Sequence, residues 1–189
     1  MKHLYYVRHG QSQINIDDFF ATKPGTPLDK GLTDTGREQA TNGIQAAKAQ
    51  NLHFDVIVCS PLQRAKETAR MYADAFGYPP KDILYSELFL EIQSGELEGT
   101  SWSAFWESGK TYKNLGEFEG AETIEALQQR AQKALAYLES LPYESILVVA
   151  HSCFGRVLRR VIENQPYTYE FTMPEEGKSL PFGQALKFI

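Results

Sequence analysis

Residues 4–15 read LYYVRHGQSQIN. Leu4–Val7 is an unbroken apolar run with no polar position in it. A strand with one face in water alternates polar and apolar residues. A run without alternation suits a strand covered on both faces, as in a parallel sheet. This run gives way within one step to Arg8, His9 and Gly10, so an arginine and a histidine stand at its carboxyl end.

The same pattern returns at Val56–Cys59 and Ile146–Ala150, with weaker strand candidates at Ile83–Tyr85 and Ala185–Ile189. Helical spacing fills the intervals. Thr35 and Glu38 read as a capping box for a helix with Ala40, Ile44 and Ala47 on one face. After Pro61, taken as part of the first helical turn, Leu62, Ala65, Ala69, Tyr72, Ala73 and Phe76 keep one face, and Gly77 with Pro79 marks the stop. Ile124 to Leu138 gives a longer amphipathic helix. Phe154 to Ile162 gives a shorter one, closed by Asn164 and Pro166. Strands alternating with helices predict an α/β domain with a mostly parallel sheet and helices on both faces. Two segments break the alternation: the loop Asn15–Gly31, and Ile92–Gly120 with five glycines and two tryptophans. Long irregular segments of this kind are often functional loops.

Composition narrows the function classes. The chain has 189 residues, 42% apolar and 23% charged, and a net charge of −5. That suits one globular domain and disfavours a general nucleic-acid binder, which shows a basic surface. No stretch is apolar enough for a membrane span, and the first strand begins too early for a secretory leader. The two cysteines, Cys59 and Cys153, follow apolar runs and read as reduced thiols. A cytoplasmic protein is expected.

In open α/β sheets, ligands sit at the carboxyl ends of the strands. Arg8-His9 ends the first strand, Ser60-Pro61 the second with Arg64 just beyond, and His151-Ser152 the strand Ile146–Ala150. Two arginines and two histidines therefore converge on one side of the sheet. RHGQSQIN (Arg8–Asn15), SPLQRAKETA (Ser60–Ala69) and VVAHSCFGRVL (Val148–Leu158) resemble, in order, the three main motifs of the histidine phosphatase (phosphoglycerate-mutase-like) superfamily, branch 1 type. LEIQSGELEG resembles the segment holding that family's acid–base glutamate, at Glu91. GLTDTGREQA and GAETIEALQQRA resemble its supporting motifs. The resemblance covers Lys2 to about Arg160.

The resemblance implies a three-layer α/β/α sandwich in a single domain, residues 1–189, with a small cap inserted at about 92–121. It also implies a metal-independent phosphatase for monoesters of a small molecule, without cofactor. His9 would attack phosphorus and Glu91 would serve as general acid and then base. Arg8, Arg64 and His151 would hold the phosphate, joined by the Asn15 amide and the Ser152 backbone N–H. These residue types suit phosphoryl transfer, in which charge spreads over three oxygens and arginine forks can grip them in pairs. His9 must be neutral to attack, which neighbouring arginines favour. Glu98 and Glu122 read as supporting.

Rival readings are a mutase, a phosphoprotein phosphatase and a silent phospho-ligand binder. A metal site on His9, His151, Cys59 and Cys153 lacks zinc spacing, and Cys153 as nucleophile competes with a packing role. Three departures stand out: Gln11 where the family often has glutamate, Ser152-Cys153 in place of Gly-Gly, and Ile92-Gln93-Ser94-Gly95 in place of the mutases' Arg-His-Tyr. The first predicts altered electrostatic support near the pocket; the last favours a phosphatase. Trp102, Phe105 and Trp106 should share a short helix that packs the cap onto the body or walls the pocket. Phe19 and Phe20 carry the same two readings. The aromatic tail Pro166–Phe182 could cover the body or join a homodimer.

Overall fold

The computed structural model describes residues 1–165 and 180–189. Five strands form one sheet: β1 (His3–Arg8), β2 (Val56–Cys59), β3 (Leu84–Tyr85), β4 (Ser145–Ala150) and β5 (Ala185–Lys187), in the spatial order β3-β2-β4-β1-β5. All neighbours are parallel except β5, which runs antiparallel to β1.

The unbroken apolar runs are explained by burial on both faces. Leu4, Tyr6, Val56, Val58, Ile146 and Val148 point into one core. Val7, Ile57, Cys59, Leu147 and Val149, the alternate positions, point into the other. Helices α2 (Asp34–Ala49) and α3 (Gln63–Phe76) cover the second face through Ile44, Ala47, Ala65, Ala69 and Tyr72. Helices α5 (Ile124–Ser140) and α6 (Ser152–Ile162) cover the first through Leu127, Ala131, Leu138, Phe154 and Val157. The arrangement is the expected α/β/α sandwich with a mostly parallel sheet. Among the described residues no helix is long and apolar enough to cross a membrane.

Helix starts correct two expectations. The side chain that caps α2 is Thr33, which accepts from the Gly36 N–H, so Thr35 lies inside the helix and no Thr35–Glu38 box forms. Pro61 lies outside α3, whose cap position is the extended Leu62; Asp29 reaches across to accept the Gln63 N–H at 2.8 Å. Gly77 ends α3 in the left-handed conformation, as expected.

The two irregular segments face each other. Asn15 lies in a single helical turn, α1 (Gln13–Asp17), rather than in open loop. Beyond it Phe20 N–H donates to Thr100 and Gly99 N–H to Phe20. Asp18 accepts from the Ser101 hydroxyl and the Ser103 N–H at the start of α4 (Trp102–Glu107). Most of the aromatic tail Pro166–Phe182 lies outside the described residues; Leu180, Pro181 and Phe182 are within them.

Candidate active site

Because β1, β2 and β4 are parallel neighbours, their carboxyl ends meet at one edge. Arg8 pairs with Ala150 and Cys59 with Val149, so the residues that follow these pairs, His9, Ser60 and His151, are brought side by side. The His9 and His151 rings lie 5.2 Å apart, edge to face.

His9 is buried and fixed at both nitrogens. Nδ1 donates to the Gly10 carbonyl at 2.7 Å, which leaves the lone pair on Nε2; Arg64 Nε donates into that lone pair at 3.2 Å. Burial first, then the charges of Arg64 and Arg8, hold its pKa well below the ordinary histidine value. Burial is a larger cause than the neighbouring arginines expected to act. Gly10 is positioned from below by Thr68, whose hydroxyl accepts the Gly10 N–H. Its lack of a side chain matters because a Cβ there would lie 2.2 Å from the Gly36 carbonyl oxygen, where α2 passes.

His151 is fully buried and stands beside His9 rather than on the cavity wall. Tyr6 clamps its backbone, accepting the His151 N–H at 3.0 Å and donating to its carbonyl at 2.7 Å. Ser60 Oγ lies 2.7 Å from its Nε2 and accepts weakly from the Leu62 N–H at 3.4 Å. Burial, then Arg64, depresses its pKa also. Nδ1 of His151 and Nη1 of Arg64 are both buried without a hydrogen-bond partner. A buried polar atom left unpaired costs free energy, so two such atoms beside His9, one of them on a guanidinium, mark a place for a polar ligand.

The remaining expected residues line one cavity of about 200 Å³: Arg8, His9, Asn15, Arg64, Glu91 and Ser152 are all on its wall. Asn15 Oδ1 is taken by the Ser12 N–H and hydroxyl, which turns the other end of its amide, the NH2, toward donation. Burial lowers both arginines to about 10, still cationic at neutral pH. Arg8 departs from a simple fork: its guanidinium lies 3.7 Å from the Phe182 ring centre and Nη1 donates to the Leu180 carbonyl. Gln11 lies off the cavity wall: its side-chain oxygen accepts from the Thr33 hydroxyl at the start of α2 and braces that helix.

Glu91 sits at the amino end of α6. Oε2 accepts the Cys153 N–H at 3.0 Å; Oε1 accepts those of Phe154 and Ile92 at 2.9 and 3.0 Å. A carboxylate there satisfies helix N–H groups that have no partner within the helix. Each carboxyl oxygen offers two lone pairs, so Oε2 keeps one for a proton. The Glu91 backbone is held by Arg130, which donates to the carbonyls of Leu88, Leu90 and Glu91 and pairs with Glu122 at 2.6 Å. Glu122 thus supports, as expected, whereas Arg130 was not singled out. Its signal was its place in GAETIEALQQRA, eight residues after Glu122. Glu98 also supports: it accepts from the backbone of Thr22 and Lys23 and from the hydroxyls of Thr22 and Ser94. Cys153 fits a packing role, since burial and then Glu91 push its thiol pKa well up.

The aromatic residues divide between the two readings. Phe20 and Phe105 pack edge to face in the core; Phe19, Trp102, Trp106 and Tyr112 line the cavity.

A family model described as "Histidine phosphatase superfamily (branch 1)" matches residues 4–174. The chain is 31% identical to a 2,3-bisphosphoglycerate-dependent phosphoglycerate mutase of Parvibaculum lavamentivorans, over 84% of this chain and 77% of that one. It is 30% identical to the adenosylcobalamin/alpha-ribazole phosphatase of Escherichia coli, over 78% and 72%. The crystal structure of the alpha-ribazole phosphatase from Shigella flexneri superposes with a TM-score of 0.70 at 26% identity, covering 87% of this chain and 81% of that one.

Proposed function

The chain belongs to the histidine phosphatase superfamily, branch 1, and on that premise we propose that it is a phosphatase that hydrolyses monoesters of a small molecule through a phosphohistidine at His9. The observation that carries this reading is the locked His9 ring. Nδ1 is committed to the Gly10 carbonyl, so the Nε2 lone pair is the one left to attack, beside Arg64 and two unpaired buried polar atoms.

In this reading the phosphate dianion draws Arg64 off Nε2 and takes up its free Nη1 and the His151 Nδ1–H. Nε2 attacks phosphorus as the bond to the leaving oxygen breaks, and that oxygen takes a proton from Glu91. Glu91, now a carboxylate, removes a proton from water. The water oxygen displaces Nε2, releasing phosphate and restoring both groups. The residues from 92 to 121 act as the cap over the leaving group. A cavity of about 200 Å³ supports a small-molecule ester over a protein surface.

The test is a panel of phosphate esters at mildly acidic pH with a chelator present. Phosphate release that disappears in His9→Ala supports the reading, as does an acid-labile phosphoryl group on His9 after rapid quench. Loss of turnover on chelation, or label on Cys153, contradicts it. One observation favours a mutase instead, the 31% identity to a mutase; incubation with 3-phosphoglycerate would then yield an isomer rather than free phosphate.

A further inference from the structure

The leaving-group half of the cavity differs in chemistry from its floor. Phe19, Trp102, Trp106 and Tyr112 form its walls together with Ile14 and Ala21. Trp106 and Tyr112 meet at right angles 4.8 Å apart, and Trp106 rests on Phe105 at 5.2 Å. Phe105 in turn packs on Phe20 and Phe118 in the core. This part of the wall is therefore set before any ligand arrives.

Trp102 differs from its neighbours. Trp106, Tyr112 and Phe20 pack against the main core, but Trp102, one helical turn from Trp106 on α4, is not among the hydrophobic side chains packed there. It is partly exposed and lines the cavity. A large, partly exposed ring on the cavity wall is placed to contact a ligand.

Setting aside the phosphate-binding groups and Glu91, the polar side chains on the wall are Thr22, Tyr112 and Arg156. The Thr22 hydroxyl is already taken by Ser94 and Glu98. Tyr112 and Arg156 supply the polar edge. The several hydroxyls of a sugar would lose water here with few partners in exchange, which is unfavourable. A flat apolar group would lose nothing of the kind and would gain ring contact. At about 200 Å³ the space falls below the roughly 300–1,000 Å³ of pockets for larger ligands.

We propose that the substrate is a monoester of a compact alcohol with a flat, apolar, ring-bearing face, and that Trp102 is the specificity-determining residue on which that face stacks. This rests on the phosphatase reading above.

The experiment compares 2-phenylethyl phosphate with glycerol 1-phosphate and glucose 6-phosphate. All three are esters of primary alcohols, so intrinsic reactivity is matched. The expected kcat/KM is at least about ten-fold higher for the phenylethyl ester, and Trp102→Ala should remove about ten-fold from that ester with a much smaller loss on the other two. Trp102→Phe should restore most of it, and the melting temperature of Trp102→Ala should stay near wild type. Equal kcat/KM across the esters, preference for the sugar phosphate, or equal losses on all three in Trp102→Ala would overturn the inference. Binding to His9→Ala, followed by tryptophan fluorescence, decides the matter without turnover. Tighter binding of the phenylethyl ester sustains the inference even if no ester is hydrolysed, an outcome that would sink only the phosphatase reading. Equal binding of the esters overturns it.

Discussion

Ser60 Oγ and His151 Nε2 lie 2.7 Å apart in a fully buried setting, and the direction of that bond decides which His151 nitrogen carries the proton. The hydroxyl oxygen accepts from the Leu62 N–H, and its second lone pair and its proton both remain for Nε2; we expect the bond in which Ser60 donates. His151 then carries its proton on Nδ1, the nitrogen that has no partner. A small hydroxyl thereby sets a neutral histidine as a donor. Ser60→Ala should release the tautomer and weaken inorganic phosphate binding by about ten-fold, the worth of one hydrogen bond to a charged group. Imidazole 15N shifts of His151 should show the Nδ1–H form in wild type and a mixture in the variant. An unchanged tautomer would dismiss the role given to Ser60.

The pH dependence of turnover follows from His9. Its folded pKa lies well below 6.5, so the neutral form that the proposed attack requires persists through mildly acidic pH. The acid limb of kcat/KM should therefore fall well below pH 6.5. Arg64→Met removes the second-largest cause of the depression and should move that limb upward. A limb that stays fixed in Arg64→Met would show that another group titrates there.

Stability should fall in acid for the same reason. His9 and His151 are buried neutral, so between pH 6.5 and their lowered folded pKa values the unfolded chain binds more protons than the folded one. Stability rises with pH across that window, by up to about 1.4 kcal/mol per pH unit for each histidine. Urea midpoints at pH 7.5 and 5.5 measure it. His151→Gln should flatten the slope by about half, and an identical slope would argue against this origin.

Arg130 and Glu122 are largely buried, at 16% and 10% exposure. Removing one partner leaves the other charge buried alone, so Arg130→Met should cost about 3–5 kcal/mol. It also frees three carbonyls around Glu91, so kcat should fall more than KM rises. A stable variant with normal kcat would show that Glu91 is held by α6 alone.

Much of the fold was readable because its cause is local. Runs such as Val56–Cys59 and Ile146–Ala150 are apolar at every position since helices cover both faces. His9, Arg64, Glu91 and the Ser152 edge were readable from motif chemistry, and the structure gathers them around one cavity. What stayed hidden depends on distant partners. The choice between Thr33 and Thr35 as cap turned on the Gly10–Gly36 approach and on Gln11 reaching Thr33, 22 residues on. Nothing near Arg8 announces Phe182. The split among the aromatic residues of 92–121 likewise depends on which face of a six-residue helix meets the core.

The Phe182 ring over Arg8 has a consequence for the order of assembly. The two residues are neighbours in space but stand at opposite ends of the described chain, and Leu180 supplies a carbonyl to the same guanidinium. A nascent chain exposes Arg8 and β1 to solvent long before residues 180–187 leave the ribosome. Strand β5 pairs with β1 only then. The same segment places Leu180 and Leu186 against one core and Ala185 against the other, so both cores are completed only with it. The contacts of Arg8 with the Phe182 ring and the Leu180 carbonyl form only then. On the phosphatase proposal, the phosphate grip of Arg8 would be completed only after nearly all of the chain has been made.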